Sequence, residues 1–316
     1  MKWKVFAALL AMLSVAAHAD TLPATTDMWR LWTADAGAAT MAVVPGGQPT
    51  AVSNIVTLPN DPAAWAASFF DPTTSSFTAD AGALKLVIGK VDDKAWHTYF
   101  SQRDLPIKEG ETYTVKFRAK ADAERPILVI AQAMSGDYHA VGLVQNAPLT
   151  TEWKTYSYTF KAVNVPVDGV HLAVQAGQAT GTVWVADLSV APVSGSVIIP
   201  APTSALQITN KAVTDDWKVN IASKPQPLVD GHTYRLSYWV KSDKPGRVNA
   251  PVQIMVDDYH TVAKVDFRGQ SGPMWRKHSV TFTASGVKPD KTSVVVCVGN
   301  IPGAVYIGDV DLSEVK

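Results

Sequence analysis

Two tripeptides stand out for what their side chains can do together: Asp137-Tyr138-His139 and Asp258-Tyr259-His260. A phenol ring offers a flat apolar face, and the imidazole beside it can donate or accept a hydrogen bond. That pairing suits stacking on a pyranose and gripping its hydroxyls. The plainer alternative is turn chemistry, with the aspartate folding the turn and the tyrosine packing. Gln132 and Gln253 hold matching positions, flanked by Ala131 and Ala133 or by Val252 and Ile254. If those neighbours face inward, each amide points to the other side of its sheet. There it is either a reader of hydroxyls or a solvated residue. Tyr99 and Asn220 occupy equivalent points of another strand, and Gln175 shares a face with His171 and Ala173. This is uncharged recognition chemistry. One His and one Asp per tripeptide do not make a metal ligand set. No carboxylate pair is singled out for glycoside cleavage. No G-x-S-x-G, H-E-x-x-H or phosphate-cradling glycine loop occurs. The residues lead to the expectation of a binder and not an enzyme.

These residues come in pairs because the chain is duplicated. Ala83-Leu84-Lys85-Leu86 opens one copy and Ala205-Leu206-Gln207-Ile208 the other. Trp96 answers Trp217, and Glu109-Gly110-Glu111-Thr112-Tyr113 answers Asp230-Gly231-His232-Thr233-Tyr234. Further on, Trp153 answers Trp275, Phe160 answers Phe282, and Gly181-Thr182-Val183-Trp184 answers Gly303-Ala304-Val305-Tyr306. Tyr113, Val115, Phe117 and Ala119 alternate with Thr114, Lys116, Arg118 and Lys120, and Tyr234, Leu236, Tyr238 and Val240 repeat the pattern. A period of two with one polar face predicts antiparallel strands over a core. The expected fold is all-β, two β-sandwiches in tandem.

The same alternation assigns faces. Trp96, Thr98 and Phe100 match Trp217, Val219 and Ile221, an apolar set, which predicts both tryptophans in the core. Tyr99 then lies on the opposite face with His97 and Ser101. Trp153, Trp184 and Trp275 fall in fold-defining strands and are expected to be structural. For Trp29, Trp32 and Trp65 either core or platform fits. Ser293, Val295 and Cys297 make an apolar counterpart to His171, Ala173 and Gln175. That contrast predicts a covered groove on the second sandwich and leaves the first as the main binder.

With 316 residues the chain has room for about two domains. Its 28 basic and 28 acidic residues cancel, which leaves no basic footprint for nucleic acid or anionic membrane. Residues 1–19 read as a secretory signal: Lys2 and Lys4, a mostly apolar run from Val5 to Val15, then Ala17-His18-Ala19 before Asp20. The expectation is an exported protein, periplasmic or extracellular, without membrane insertion. Cys297 is the lone cysteine, so no intramolecular disulfide exists, and its apolar strand predicts a buried, inert thiol. The first sandwich is expected over 20–193, a proline-bearing linker over 194–204 and the second sandwich over 205–316. Val197-Ile198-Ile199, within the linker, is read as a first strand of the second sandwich. That sandwich is short at its N-terminal end, so part of 20–53 is expected to pack on it and complete its sheet. Nothing in the pattern specifies an oligomer.

The duplicated pattern resembles carbohydrate-binding modules of families four, nine and twenty-two. The carriers are the Trp-led strand at Trp96 or Trp217, the acidic-Gly-x-x-Tyr turn at Tyr113 or Tyr234, and the loop tyrosine Tyr138 or Tyr259. The strands Trp153 to Phe160 and Trp275 to Phe282, and the close at Gly181 or Gly303, complete it. The resemblance implies jelly-roll, galactose-binding-like sandwiches that hold an oligo- or polysaccharide on the concave sheet. It places Tyr99 and Asn220 where the family often has a ligand-contacting glutamine. Gln132, Tyr138, His139, Gln175, Gln253, Tyr259 and His260 complete the expected contact set. The family often carries two aspartates before its last strand, which belong to a structural calcium. Here the pairs read Ala186-Asp187 and Gly308-Asp309. One carboxylate per domain is a poor start for a cation that wants six or more oxygens. No cofactor is therefore expected, and the aspartates are read as turn caps. The alternative to a glycan is a protein partner, with the sandwiches acting as an envelope adhesin or scaffold.

Overall fold

The computed structural model describes residues 21–92 and 94–315; the signal assigned to 1–19 lies outside the described residues. Two β-sandwiches follow one another. One sheet of the first runs Ala140–Leu149, Arg125–Ala133, Val170–Gln175, Thr98–Leu105, Ala66–Phe69. The facing sheet runs Lys154–Lys161, Thr112–Ala121, Gly181–Pro192, Ala83–Lys90, Thr74–Asp80. Tyr113, Val115, Phe117 and Ala119 are buried between them, as the alternation requires. The acidic-Gly-x-x-Tyr turn has a local cause. Gly110 and Gly231 both sit at φ 80°, a region glycine enters without steric penalty. The turn brings Tyr113 Oη to accept from the Lys108 amide at 3.0 Å, and Tyr234 Oη from the Val229 amide at 2.9 Å.

The second sandwich draws strands from far upstream. Its sheets are Arg276–Thr283, Thr233–Ser242, Gly303–Glu314, Ser204–Asn210, Ala39–Pro45 and Trp29–Thr33, Val219–Ser223, Thr292–Cys297, Gly246–Asn249, Arg268–Ser271. Ala39–Pro45 pairs with Ser204–Asn210, Trp29–Thr33 with Val219–Ser223, and Thr21–Leu22 with the Gly303 strand. Each pairing satisfies a row of backbone groups that would otherwise form an open edge. Val197–Ile199 pairs with Thr50–Val52. Val197 and Ile199 are buried in the first core. That corrects the reading of Val197-Ile198-Ile199 as a first strand of the second sandwich: within the linker it packs on the first.

Of the strand tryptophans, Trp275 is buried and donates to the Gly46 carbonyl at 3.0 Å. Trp153 and Trp184 lie on the outward face, with Lys120 Nζ 5.6 and 4.9 Å from their ring centroids, a cation–π brace across the sheet. Asp187 sits at φ 56° where the Gly181 strand bulges. Its oxygens accept from Asn60 at 3.1 Å and Arg118 at 2.8 Å. A guanidinium on the carboxylate repels a cation, so these residues do not fit the family's calcium.

The sandwiches meet through buried polar groups. Asp104, at the end of the Thr98 strand, accepts from His278 Nδ1 at 2.9 Å and from the Gln270 amide at 2.7 Å. Arg276 donates to Gln102 Oε1 at 2.6 Å and to the Arg103 carbonyl at 2.8 Å. Burial alone would push the Asp104 carboxyl up, but His278, Arg103 and the Gln270 amide hold it below the ordinary range. Burial lowers the Arg276 guanidinium to about 10, against the pull of Asp104.

Candidate functional site

The outward face of the first sandwich's Thr98 sheet holds a cleft of about 540 Å³, within the range of small-molecule sites. Strand register builds its floor in rows. Tyr99 stands opposite Gln175, Ser101 opposite Ala173, and Gln132 opposite His171. Phe70 and Trp96 wall one end and Tyr138 another. The aromatic groups form a line: Trp96 to Phe70 at 5.5 Å, Phe70 to Tyr99 at 6.4 Å, Tyr99 to His171 at 6.4 Å between centroids. No lining residue bears a carboxylate, lysine or arginine. The cleft can stack flat apolar faces and exchange hydrogen bonds through Gln132, Gln175, His171 and Tyr99.

Four of the nine residues read from the sequence therefore come together: Tyr99, Gln132, Tyr138 and Gln175. His139 does not line the cleft. Its Nδ1 lies 2.6 Å from Asp137 Oδ1 and its Nε2 2.8 Å from the Asn164 carbonyl. Both partners accept hydrogen bonds, an arrangement that favours the protonated ring. The Asn164 carbonyl, then Asp137, raises its pKa. His139 thereby fastens the turn that presents Tyr138, which is 57% exposed at φ 53°. A left-handed residue with a side chain costs about 1–2 kcal/mol, and Tyr259 repeats it at φ 53° over the same Asp258–His260 pairing.

Trp96 is a correction. It is 47% exposed on the cleft rim instead of buried, and Trp217 is 53% exposed. Short 3-10 turns, Ala95–His97 and Asp216–Lys218, precede the two strands. They break the alternation that reaches Thr98 and Phe100 correctly. Asp92, whose carboxylate accepts from the Lys94 amide at 2.9 Å, and the Asp215-Asp216 pair before Trp217 were the available signals. Phe70 was missed because it lies outside the repeat, though it stands directly before the Asp71-Pro72 turn.

His171 was seen only as a strand-face residue, yet it is buried on the cleft floor. Its Nε2 has no hydrogen-bond partner among the described residues. Burial, reinforced by Arg103, lowers its pKa to about 4. The folded ring is thus neutral at pH 7, and its buried Nε2 is left without a partner on the cleft floor. Between about 6.5 and that lowered value the unfolded chain binds the extra proton. Stability must therefore fall as pH drops through this window and level off below it. Urea denaturation at pH 7 and pH 4 is expected to differ by on the order of 2 kcal/mol more in the parent protein than in His171→Gln.

A second cleft, of about 590 Å³, lies on the corresponding sheet of the second sandwich. Gln253 lines it with Trp217, Asn249, Arg268 and Cys297. Asn220 instead donates to the Trp217 carbonyl at 2.8 Å and supports that turn, and Tyr259 and His260 do not line the cleft. Of the face expected to be covered, Ser293 and Val295 are buried and do not line this cleft, whereas Cys297 does. The N-terminal strand runs beside the Val219 strand and brings Trp32 against Trp217, rings stacked at 6.2 Å. Trp32 is 48% exposed. Cys297 is buried in this floor, its thiol pushed up to about 12 by burial and then by Asp216.

The profile of the family described as Carbohydrate binding domain matches residues 60–183 and again 179–303. Among solved structures, a CBM4 module shares 23% identity over 46% of this chain and 97% of its own, with a TM-score of 0.39. The N-terminal CBM22-1–CBM22-2 tandem domain of Paenibacillus barcinonensis Xyn10C shares 12% over 86% and 99%, with a TM-score of 0.33. The second N-terminal cellulose-binding domain of Cellulomonas fimi β-1,4-glucanase C shares 22% over 45% and 96%, with a TM-score of 0.36. No curated protein matches the chain. Two successive matches that together span more than half of the residues place this chain in the carbohydrate-binding domain family, as a tandem pair.

Proposed function

We propose that this is an exported, non-catalytic protein that binds an oligo- or polysaccharide in the cleft of the first sandwich. The observation that carries the reading is the cleft's lining: a row of aromatic faces beside two amides and an unpartnered imidazole nitrogen. Sugar rings carry apolar C–H faces and equatorial hydroxyls, and this lining complements both. The absence of carboxylates from the lining supports binding over cleavage, since glycoside hydrolysis needs two of them across the bond. The Lys2-Lys4 start, the apolar run and Ala17-His18-Ala19 support export.

The test is a glycan array and insoluble-polysaccharide retention assay on the protein, with Tyr99→Ala and Gln132→Ala alongside. Each substitution is expected to weaken binding roughly tenfold, about 1.4 kcal/mol, while the melting temperature stays near that of the parent. Retention on no glycan, or binding indifferent to both substitutions, would overturn the reading.

A further inference from the structure

We propose that the two clefts and the junction between them form one groove, which holds a single linear polysaccharide chain across both sandwiches. This rests on the carbohydrate reading of the first cleft and extends it to the second.

A third trough of about 480 Å³ lies at the junction. Tyr138 lines both the first cleft and this trough. Lys264, Val265 and Asp266 line both the trough and the second cleft. The three spaces thus share walls from end to end. Arg103 stands on the same strand as Tyr99 and donates to Asp266 at 2.7 Å, and Arg247 donates to the same carboxylate at 3.2 Å. An ion-paired bridge therefore spans the seam between the two sheets.

The chemistry along the groove alternates in a way a polymer of sugars would use. Aromatic faces stand at one end (Trp96, Phe70, Tyr99), at the middle (Tyr138) and at the other end (Trp217). Between them the trough supplies charged groups, Arg103, Asp168, Lys264 and Asp266, which form strong hydrogen bonds to neutral hydroxyls. A compact partner would meet only one of these zones, whereas an extended chain meets all of them. The buried Asp104–His278 and Arg276–Gln102 contacts hold the sandwiches in register, so the groove is formed before the ligand arrives.

Calorimetry on the full chain with cello- and xylo-oligosaccharides of two lengths tests this. The expected result is one long oligosaccharide, about twelve residues, per protein, bound at least about 30-fold more tightly than one of about four. Trp217→Ala is expected to remove most of that gain. Two long chains per protein, or equal affinity at both lengths with Tyr99-dependent binding intact, overturns the groove and leaves the first cleft standing. Absence of binding at either length, with no glycan retained on the array, overturns both.

Discussion

Asp104→Ala is expected to destabilise the protein by about 3–5 kcal/mol, the loss typical of removing one partner from a buried charged network. Asp104 is buried, and its two oxygens receive His278 Nδ1 and the Gln270 amide, both from the second sandwich. Removing it strands the His278 ring and withdraws the negative charge that faces Arg103 and Arg276. The burial of Arg276 is tolerable only while its donors reach Gln102 and the Arg103 carbonyl. Urea denaturation followed by tryptophan fluorescence should then show two transitions where the parent shows one, because the contact that couples the sandwiches is gone. Asp104→Asn keeps an acceptor for the Gln270 amide and should recover part of the loss. The parent is expected to share the weakness in acid. A carboxyl held below about 3.9 in the folded state contributes stability above that pH and loses it as the folded group protonates. A single transition with unchanged midpoint in Asp104→Ala would mean that the junction contributes little.

What could be read in the residues, and what could not, divides along physical lines. Alternation and duplication are local signals. They place Tyr113, Phe117, Tyr234 and Tyr238 inside and Tyr99, Gln132 and Gln175 outside, because strand geometry fixes side-chain direction from sequence alone. A turn of three residues defeats that logic: Ala95–His97 rotates Trp96 out of the phase that Thr98 and Phe100 obey. His139 failed for a different reason. Asp137 and the Asn164 carbonyl engage both of its ring nitrogens, and the Asn164 contact has no signature in the tripeptide. Phe70, just after the Ala66–Phe69 strand, lines the first cleft, and Trp32, on the Trp29–Thr33 strand, stacks on Trp217; both strands lie outside the repeat. The junction is the least legible part. Asp104 and His278 are far apart in the chain, each sits in an ordinary strand pattern, and no spacing announces their contact.

Trp96→Ala separates the two positions assigned to this residue. Buried in a core, a tryptophan cut to alanine costs about 3–5 kcal/mol of stability. On the rim of the cleft it costs little stability and much affinity. The structure places it on the rim: Trp96 is half exposed, meets Phe70 at 68° between ring planes, and has Lys94 Nζ 5.8 Å from its centroid. Its turn is held independently of the indole, since Asp92 pairs with His97 and caps the Lys94 amide. The variant should therefore melt within about 0.5 kcal/mol of the parent, as surface substitutions do. Glycan affinity should fall roughly 30-fold, about 2 kcal/mol, the mark of a stacking platform removed. Trp96→Phe keeps a smaller ring and should lose about half of that free energy. Calorimetry and thermal melts on the same samples read both quantities. A large drop in melting temperature with unaltered affinity per folded molecule would return Trp96 to the core and take the aromatic row away from the ligand.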